Sequence, residues 1–224
     1  MTKFMNDVIV KASKTIQKSI KEGKGVPSSI SMKDSEGKTH KLSKKEVAGI
    51  FEARNVFILK HDRVPNYVTK NSTADNPLVM NYQDSSTTCG PTSLSMAAQM
   101  LYGNTSENAF KKACKTGSSG TSPDNLIVGA KNMGYKVSQI SRNSSSVKAN
   151  LLLGKPVVAH IQTKAASCLG FTGDYGHYIL IYGYTSDGKY KVADPTKGLK
   201  TCKFSILDKA TNGRDIHYYS VSPI

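Results

Sequence analysis

The stretch that most constrains this chain is Tyr82-Gln83-Asp84-Ser85-Ser86-Thr87-Thr88-Cys89-Gly90-Pro91-Thr92-Ser93-Leu94-Ser95-Met96-Ala97-Ala98, a polar loop that hands a cysteine to the start of a helix. Gly90 allows a tight turn, and Pro91 suits the first helical turn, where a missing N–H costs nothing. Leu94, Ala97, Ala98 and Leu101 recur at helical spacing, and Gly103 supplies the stop. Cys89 is therefore expected at a helix N-terminus, where the positive end of the macrodipole favours a thiolate, the nucleophilic form. Gln83, six residues upstream, can fold its amide back to donate to an oxyanion beside the sulfur. A buried structural cysteine fits the helix equally well, so the assignment turns on what lies downstream.

A thiol nucleophile needs a base, and the base needs an orienting group. The chain has 5 histidines. His40 and His61 read as surface residues of the N-terminal region, and His160 and His217 as packed or solvent-facing positions inside strands. His177 follows Asp174-Tyr175-Gly176 and opens the apolar run Tyr178 to Thr185, which puts an imidazole at a sheet end. Asp194 closes the returning strand in Ala193-Asp194-Pro195, although an Asp before Pro also reads as a simple turn former. Asp174 is the alternative acid, on the same loop as His177 and so a less rigid orienter. A two-residue Asp187-Gly188 hairpin sets Asp194 across from about Ile181, not level with His177. A bulge near Gly183, or a turn that starts earlier, is needed to bring the pair together. Gln83, Cys89, His177 and Asp194 together fit acyl transfer, most simply amide hydrolysis.

The chain of 224 residues is long enough for one good core with a small satellite domain. Its formal charge is +15. Residues 1–70 carry 15 Lys and Arg against 7 Asp and Glu, the remainder 16 against 9, so the N-terminal third is the more basic per residue. Such a balance suits an acidic polymer, though solubility alone is a competing reading. No basic run interleaved with aromatics and no nucleic-acid motif is present. The 4 cysteines form no Cys-x-x-Cys, which argues against structural zinc. Mostly free thiols are expected, and with them a reducing or anaerobic setting; whether Cys168 and Cys202 pair is left open. No metal or cofactor is expected. Asp and Asn near the 163–176 loop offer ligands for a cation such as calcium, but no calcium-loop pattern accompanies them. The first residues lack an apolar run of signal-peptide length, and no segment approaches a membrane span. Synthesis inside the cell, with release by something else if the protein acts outside, is the corresponding expectation.

Along the chain, Phe4, Val8, Ala12, Ile16 and Ile20 mark a helix over 3–22. Residues 28–42 read as a polar connection with a hairpin tip at Glu36-Gly37, and Ser43 to Glu46 as a capping box that opens a second helix to about Lys60. Ile20 to Ile30 and Leu59 to Val68 echo each other: a helix end, a charged turn, Val-Pro, then a β-branched residue, with the prolines 38 residues apart. One and a half repeat units are visible on this basis. Residues 71–78 read as a linker. Beyond it come helices at about 90–102, 106–115 and 123–133, and then mainly antiparallel strands, an α+β arrangement.

The motifs Gln83-x5-Cys89-Gly90-Pro91-Thr92-Ser93, Gly176-His177-Tyr178 and Ala193-Asp194-Pro195 resemble those of papain-like cysteine peptidases that include bacteriocin-processing enzymes. The resemblance covers roughly residues 78–224. Val64-Pro65-Asn66-Tyr67-Val68 after an amphipathic helix resembles the pseudomurein-binding repeat. The combination is similar to the pseudomurein endoisopeptidases, lytic enzymes of viruses of methanogenic archaea. That resemblance implies a papain-like peptidase domain over 79–224 behind a mainly helical wall-binding domain over 1–70. It implies cleavage of Ala–ε-Lys isopeptide cross-links in archaeal pseudomurein by a monomer acting on the wall. Cys89 would be nucleophile, His177 base and Asp194 orienter; Gln83 as oxyanion donor comes from the wider superfamily. Asn66 and Tyr67 would contact the wall sugar. A leader peptidase, a bacterial-wall amidase, a thiol-dependent transferase and a non-catalytic wall-binding protein stay open as alternatives.

Overall fold

The computed structural model describes residues 2–61, 63–70, 78–102, 106–185, 187–213 and 218–224. The chain divides into two units, Met1–Asp75 and Asn76–Ile224. Residues 71–77 of the expected linker, His217, and the side chain of His61 lie outside what is described.

In the first unit, apolar residues at helical spacing produce two helices, each flanked by short strands. The order is β1 (Lys3–Met5), α1 (Asn6–Lys21), β2 (Ser29–Lys33), β3 (Thr39–Ser43), α2 (Lys44–His61) and β4 (Tyr67–Thr69). The capping box forms: Glu46 Oε2 accepts from Ser43 N at 2.8 Å and from Ser43 Oγ at 2.9 Å, while Glu46 N donates to Ser43 Oγ at 3.3 Å. The hairpin tip forms as well, with Asp34 Oδ1 accepting from Glu36 N and Lys38 N. His40 is half-buried rather than a surface residue, its Nε2 2.7 Å from Asp34 Oδ2.

The repeat is complete, not one and a half units. Adding 38 to the β1 numbers and subtracting 38 from the β4 numbers converts the β1–β4 pairs Lys3↔Thr69, Phe4↔Val68 and Met5↔Tyr67 into Lys41↔Ser31, Leu42↔Ile30 and Ser43↔Ser29, which are pairs of the β2–β3 ribbon. The buried residues Phe4, Ile9, Ala12 and Ile30 map in the same way onto Leu42, Val47, Ile50 and Val68. Each ribbon takes one strand from each β-α-β half, so the halves are related by a pseudo-two-fold axis and share one core. The unit thus adds two short ribbons to its two long helices. A lone half would leave a helix face and two strand edges uncovered, and exchanging strands covers both.

Asn66 and Tyr67 are buried, which corrects their expected role at a sugar surface. Tyr67 pairs with Met5 across the ribbon, and Lys3 Nζ sits 4.4 Å from its ring centroid. The Asn66 carbonyl accepts from Asn6 N at the start of α1 at 2.8 Å. The Tyr67 ring and the Asn66 backbone carbonyl thus serve the junction between the two halves.

The second unit runs α3 (Cys89–Tyr102), α4 (Glu107–Ala113), α5 (Pro123–Asn132), β5 (Tyr135–Gln139), α6 (Ser144–Leu152), β6 (Val157–Gln162), β7 (Gly176–Tyr184), β8 (Tyr190–Asp194), β9 (Gly198–Cys202), α7 (Phe204–Thr211) and β10 (Tyr218–Pro223). The strands form one antiparallel sheet in the order β5-β10-β6-β7-β8-β9. Val157, Ala159, Ile161, Ile179 and Ile181 pack with Val147 and Leu151 of α6 and Leu207 and Ala210 of α7. The alternating residues Val158 and Leu180 are also fully buried, and α3 packs on β7 and β10. Coverage of both faces is why β7 reads as a continuous apolar run instead of an alternating one. Cys168 and Cys202 form a disulfide, with Cα atoms 5.5 Å apart, so only Cys89 and Cys114 are free. The expectation of mostly free thiols thus fails for half the cysteines: the fold brings the loop after β6 against the end of β9, a long-range contact that cysteine spacing does not encode.

Candidate active site

Cys89 is the first residue of α3 and is buried. Its N–H belongs to the first helical turn, which has no acceptor inside the helix, so that donor is available beside the sulfur. Gly90 lets the helix start lie close to its surroundings: a Cβ there would meet Leu126, Thr121 and Tyr178 side chains at 3.1–3.3 Å.

The register of β7 and β8 decides whether His177 meets Asp194. The hairpin closes one residue earlier than a two-residue Asp-Gly loop would, pairing Tyr184 with Tyr190. A bulge between Ile181 and Gly183 then shifts the ladder by one more residue, so Ile181 pairs with Val192 and Leu180 with Ala193. Continued one step, this register sets Asp194 against Ile179 instead of Ile181. Two one-residue shifts keep the side chain on its face and move it one period toward His177. The result is a buried pair, His177 Nε2 to Asp194 Oδ1, at 3.1 Å. The same oxygen accepts from Thr196 N at 2.7 Å and Lys197 N at 3.0 Å, which clamps the carboxylate. Asp174, the alternative acid, instead accepts a hydrogen bond from Gln162 Nε2 and ties the loop to β6.

With Nε2 held by Asp194, Nδ1 is the ring nitrogen left to serve the Cys89 thiol. Burial of His177 opposes its charged form, but hydrogen bonds that the protonated ring donates to Asp194 and to Cys89, with their charges, override this and raise its pKa to about 9. Phe171 and Tyr175 pack edge-on to the imidazole, at 5.2 and 6.4 Å between centroids, and shield it from water. Cys114, by contrast, is a structural thiol: burial pushes it up to about 12.

Gln83 lies at the mouth of the same cleft. Its backbone N–H donates to the Pro195 carbonyl at 3.0 Å, and its Oε1 accepts from Thr196 Oγ1 at 3.2 Å. Nε2 donates to the Ser85 carbonyl at 2.7 Å, leaving its second hydrogen for another acceptor. The glutamine loop and the turn that clamps Asp194 are thereby one hydrogen-bonded assembly. The cleft, of about 970 Å³, is lined by Cys89, His177, Gln83, His160, Tyr175 and Tyr178 together with a hydroxyl- and glycine-rich wall over 117–122. His160 stacks on Tyr178 at 4.2 Å and so lines the cleft from β6. The roles of Thr196 and Lys197 escape sequence reading, because backbone N–H donors leave no residue-type signature. Among the described residues no group of three His, Cys, Asp or Glu could hold a metal ion, and no helix is long and apolar enough to cross a membrane.

A thiol, an imidazole and a clamped carboxylate at one end of an antiparallel sheet, under a helix N-terminus, suit acyl transfer and define the class as a papain-like cysteine peptidase. The chain belongs to the peptidase C39 family, whose model matches residues 78–213. Its second unit is similar in fold to the peptidase domain of Streptococcus ComA, a bi-functional ABC transporter involved in quorum sensing. That likeness has 18% identity and a TM-score of 0.52, covering 66% of this chain and 100% of that one. A double-glycine-motif protease from an AMS/PCAT transporter, solved with its leader peptide, is 17% identical with a TM-score of 0.50, covering 67% of this chain and 94% of that one. No curated protein matches the chain.

Proposed function

We propose that the protein is an endoisopeptidase that hydrolyses Ala–ε-Lys cross-links of archaeal pseudomurein, with Cys89 as nucleophile. The observation that carries the reaction is the buried His177–Asp194 pair beside the Cys89 thiol. Asp194 holds the imidazole through Nε2, and Nδ1 takes the thiol proton. The thiolate attacks the alanyl carbonyl, and Cys89 N–H with the second Nε2 hydrogen of Gln83 receives the oxyanion. The imidazolium then protonates the departing lysine ε-amine, and water attacks the acyl-enzyme with His177 as base.

The choice of substrate rests on the first unit. Val64-Pro65-Asn66-Tyr67-Val68 resembles a pseudomurein-binding repeat, and the 38-residue duplication supplies two such units. With Asn66 and Tyr67 buried, the wall contact moves to the groove between α1 and α2. That groove, of about 390 Å³, offers the Phe51 ring, Gln17 and its symmetry mate Asn55, and the cations Lys14 and Arg54. A ring, two amides and positive charge suit an acidic sugar.

The test is loss of turbidity of purified pseudomurein sacculi with the protein and with Cys89→Ala. Lysis by the first alone, with new lysine ε-amines, is expected; no lysis by either overturns the reading. The second reading is cleavage of a leader peptide, as in the transporter protease solved with its leader. Cutting of a double-glycine peptide with sacculi untouched would favour it.

A further inference from the structure

Lys115 is the one non-glycine residue with positive φ among the described residues, at +47°. Its position explains why that is costly. Lys115 N donates to the Lys112 carbonyl and Thr116 N to the Lys111 carbonyl, both at 3.1 Å, which is the Schellman turn that ends α4. Helices α1, α5 and α6 end with glycine at the corresponding positive-φ position: Gly23, Gly134 and Gly154. A Cβ there is strained, and strain of this kind gathers at functional sites because the surrounding structure must hold it for some other benefit.

Lys115 lines the cleft that holds Cys89 and His177. Among the described residues no Asp or Glu lines that cleft, and Lys115 is its one permanently charged residue. The side chain is exposed, and among the described residues no carboxylate forms an ion pair with it. The wall that follows is braced by the Gly117–Gly120 bridge and by Thr116 Oγ1 against Thr121 Oγ1 at 2.6 Å, so the lysine stands at the foot of an ordered strap.

We propose that Lys115 is a specificity-determining residue that pairs with a carboxylate of the substrate near the scissile amide. The acceptable substrates are then peptides or peptide cross-links carrying a free carboxylate within a side chain's reach of the cut bond. This rests on the reading of Cys89 as nucleophile and names what else the cleft recognises.

The experiment measures alkylation of Cys89 by iodoacetate and by iodoacetamide, an anionic and a neutral reagent of similar size, read by mass on the Cys89 peptide. Cys114, buried and with its thiol raised to about 12, serves as the internal control. Lys115→Gly and Lys115→Asn, both compatible with positive φ, are expected to lower the iodoacetate-to-iodoacetamide rate ratio about threefold at low salt. Lys115→Arg should keep the ratio. Lys115→Gly should melt about 2–4 °C higher than the parent, since it relieves the strain while losing recognition. For lysyl isopeptides bearing a free carboxylate or a carboxamide, the acid-to-amide ratio of kcat/KM should fall by a similar factor, mainly through KM. An unchanged reagent ratio with Cys89 still reactive overturns the role of Lys115 alone. A folded protein whose Cys89 resists both reagents overturns the nucleophile assignment and the Lys115 proposal with it.

Discussion

His177 is a buried histidine that nonetheless holds its proton, because Asp194 and Cys89 outweigh the cost of burial. Its value of about 9 lies above the ordinary 6.5, so the stability it contributes is full below about pH 6.5 and is lost as pH rises through about 9. The acid proposed to protonate the leaving amine disappears over the same interval. A kcat/KM profile should therefore fall on its basic side near pH 9, and Asp194→Asn should move that limb to lower pH while cutting kcat at least tenfold. A basic limb unmoved by Asp194→Asn would contradict the assignment. Packing is as exacting at Gly129, where a Cβ would lie 2.4 Å from Cys114 Sγ and 2.7 Å from its backbone. Two helices meet there with no room for a methyl. Gly129→Ala should cost about 1–3 kcal/mol by chemical denaturation, the range of overpacking in a filled core.

Among elements, the β7–β8 hairpin carries the site, and the Cys168–Cys202 disulfide ties the neighbouring loop to the end of β9. That loop bears Phe171 and Tyr175 against His177. The crosslink spans 34 residues. Closing a loop of that size restrains the unfolded chain by roughly 3–4 kcal/mol. Cys168→Ala with Cys202→Ala should lower the denaturant midpoint accordingly; a variant as stable as the parent would show that the thiols do not pair. At the start of α2, Ser43→Ala removes one side of the capping box and should cost about 1 kcal/mol. Helix limits were largely legible in the sequence because caps and stops act within a few residues. Pro123 after Ser122, and Gly134 and Gly154 behind α5 and α6, all sit where expected.

Across the whole molecule, the proposed wall substrate is acidic, so the net charge of +15 should govern encounter with it. Pelleting of Cys89→Ala with sacculi should weaken steadily between low salt and several tenths molar salt, as screening shortens the reach of the field. Binding that ignores salt would point to the apolar and amide contacts of the α1–α2 groove instead. The order Gln83, Cys89, His177, Asp194 and the chemical identity of each group were set by the sequence alone. So were the helix that presents the thiol and the α+β character of the second unit, since all of these follow from local periodicity and residue chemistry. Tertiary structure decided what depends on counting across long distances. It set the two one-residue shifts that bring Asp194 to His177, the exchange of strands between the 38-residue halves, the burial of Asn66 and Tyr67, and the Cys168–Cys202 pair. Strand register and partner choice are fixed by cores that assemble from remote segments, so no short stretch of the chain encodes them.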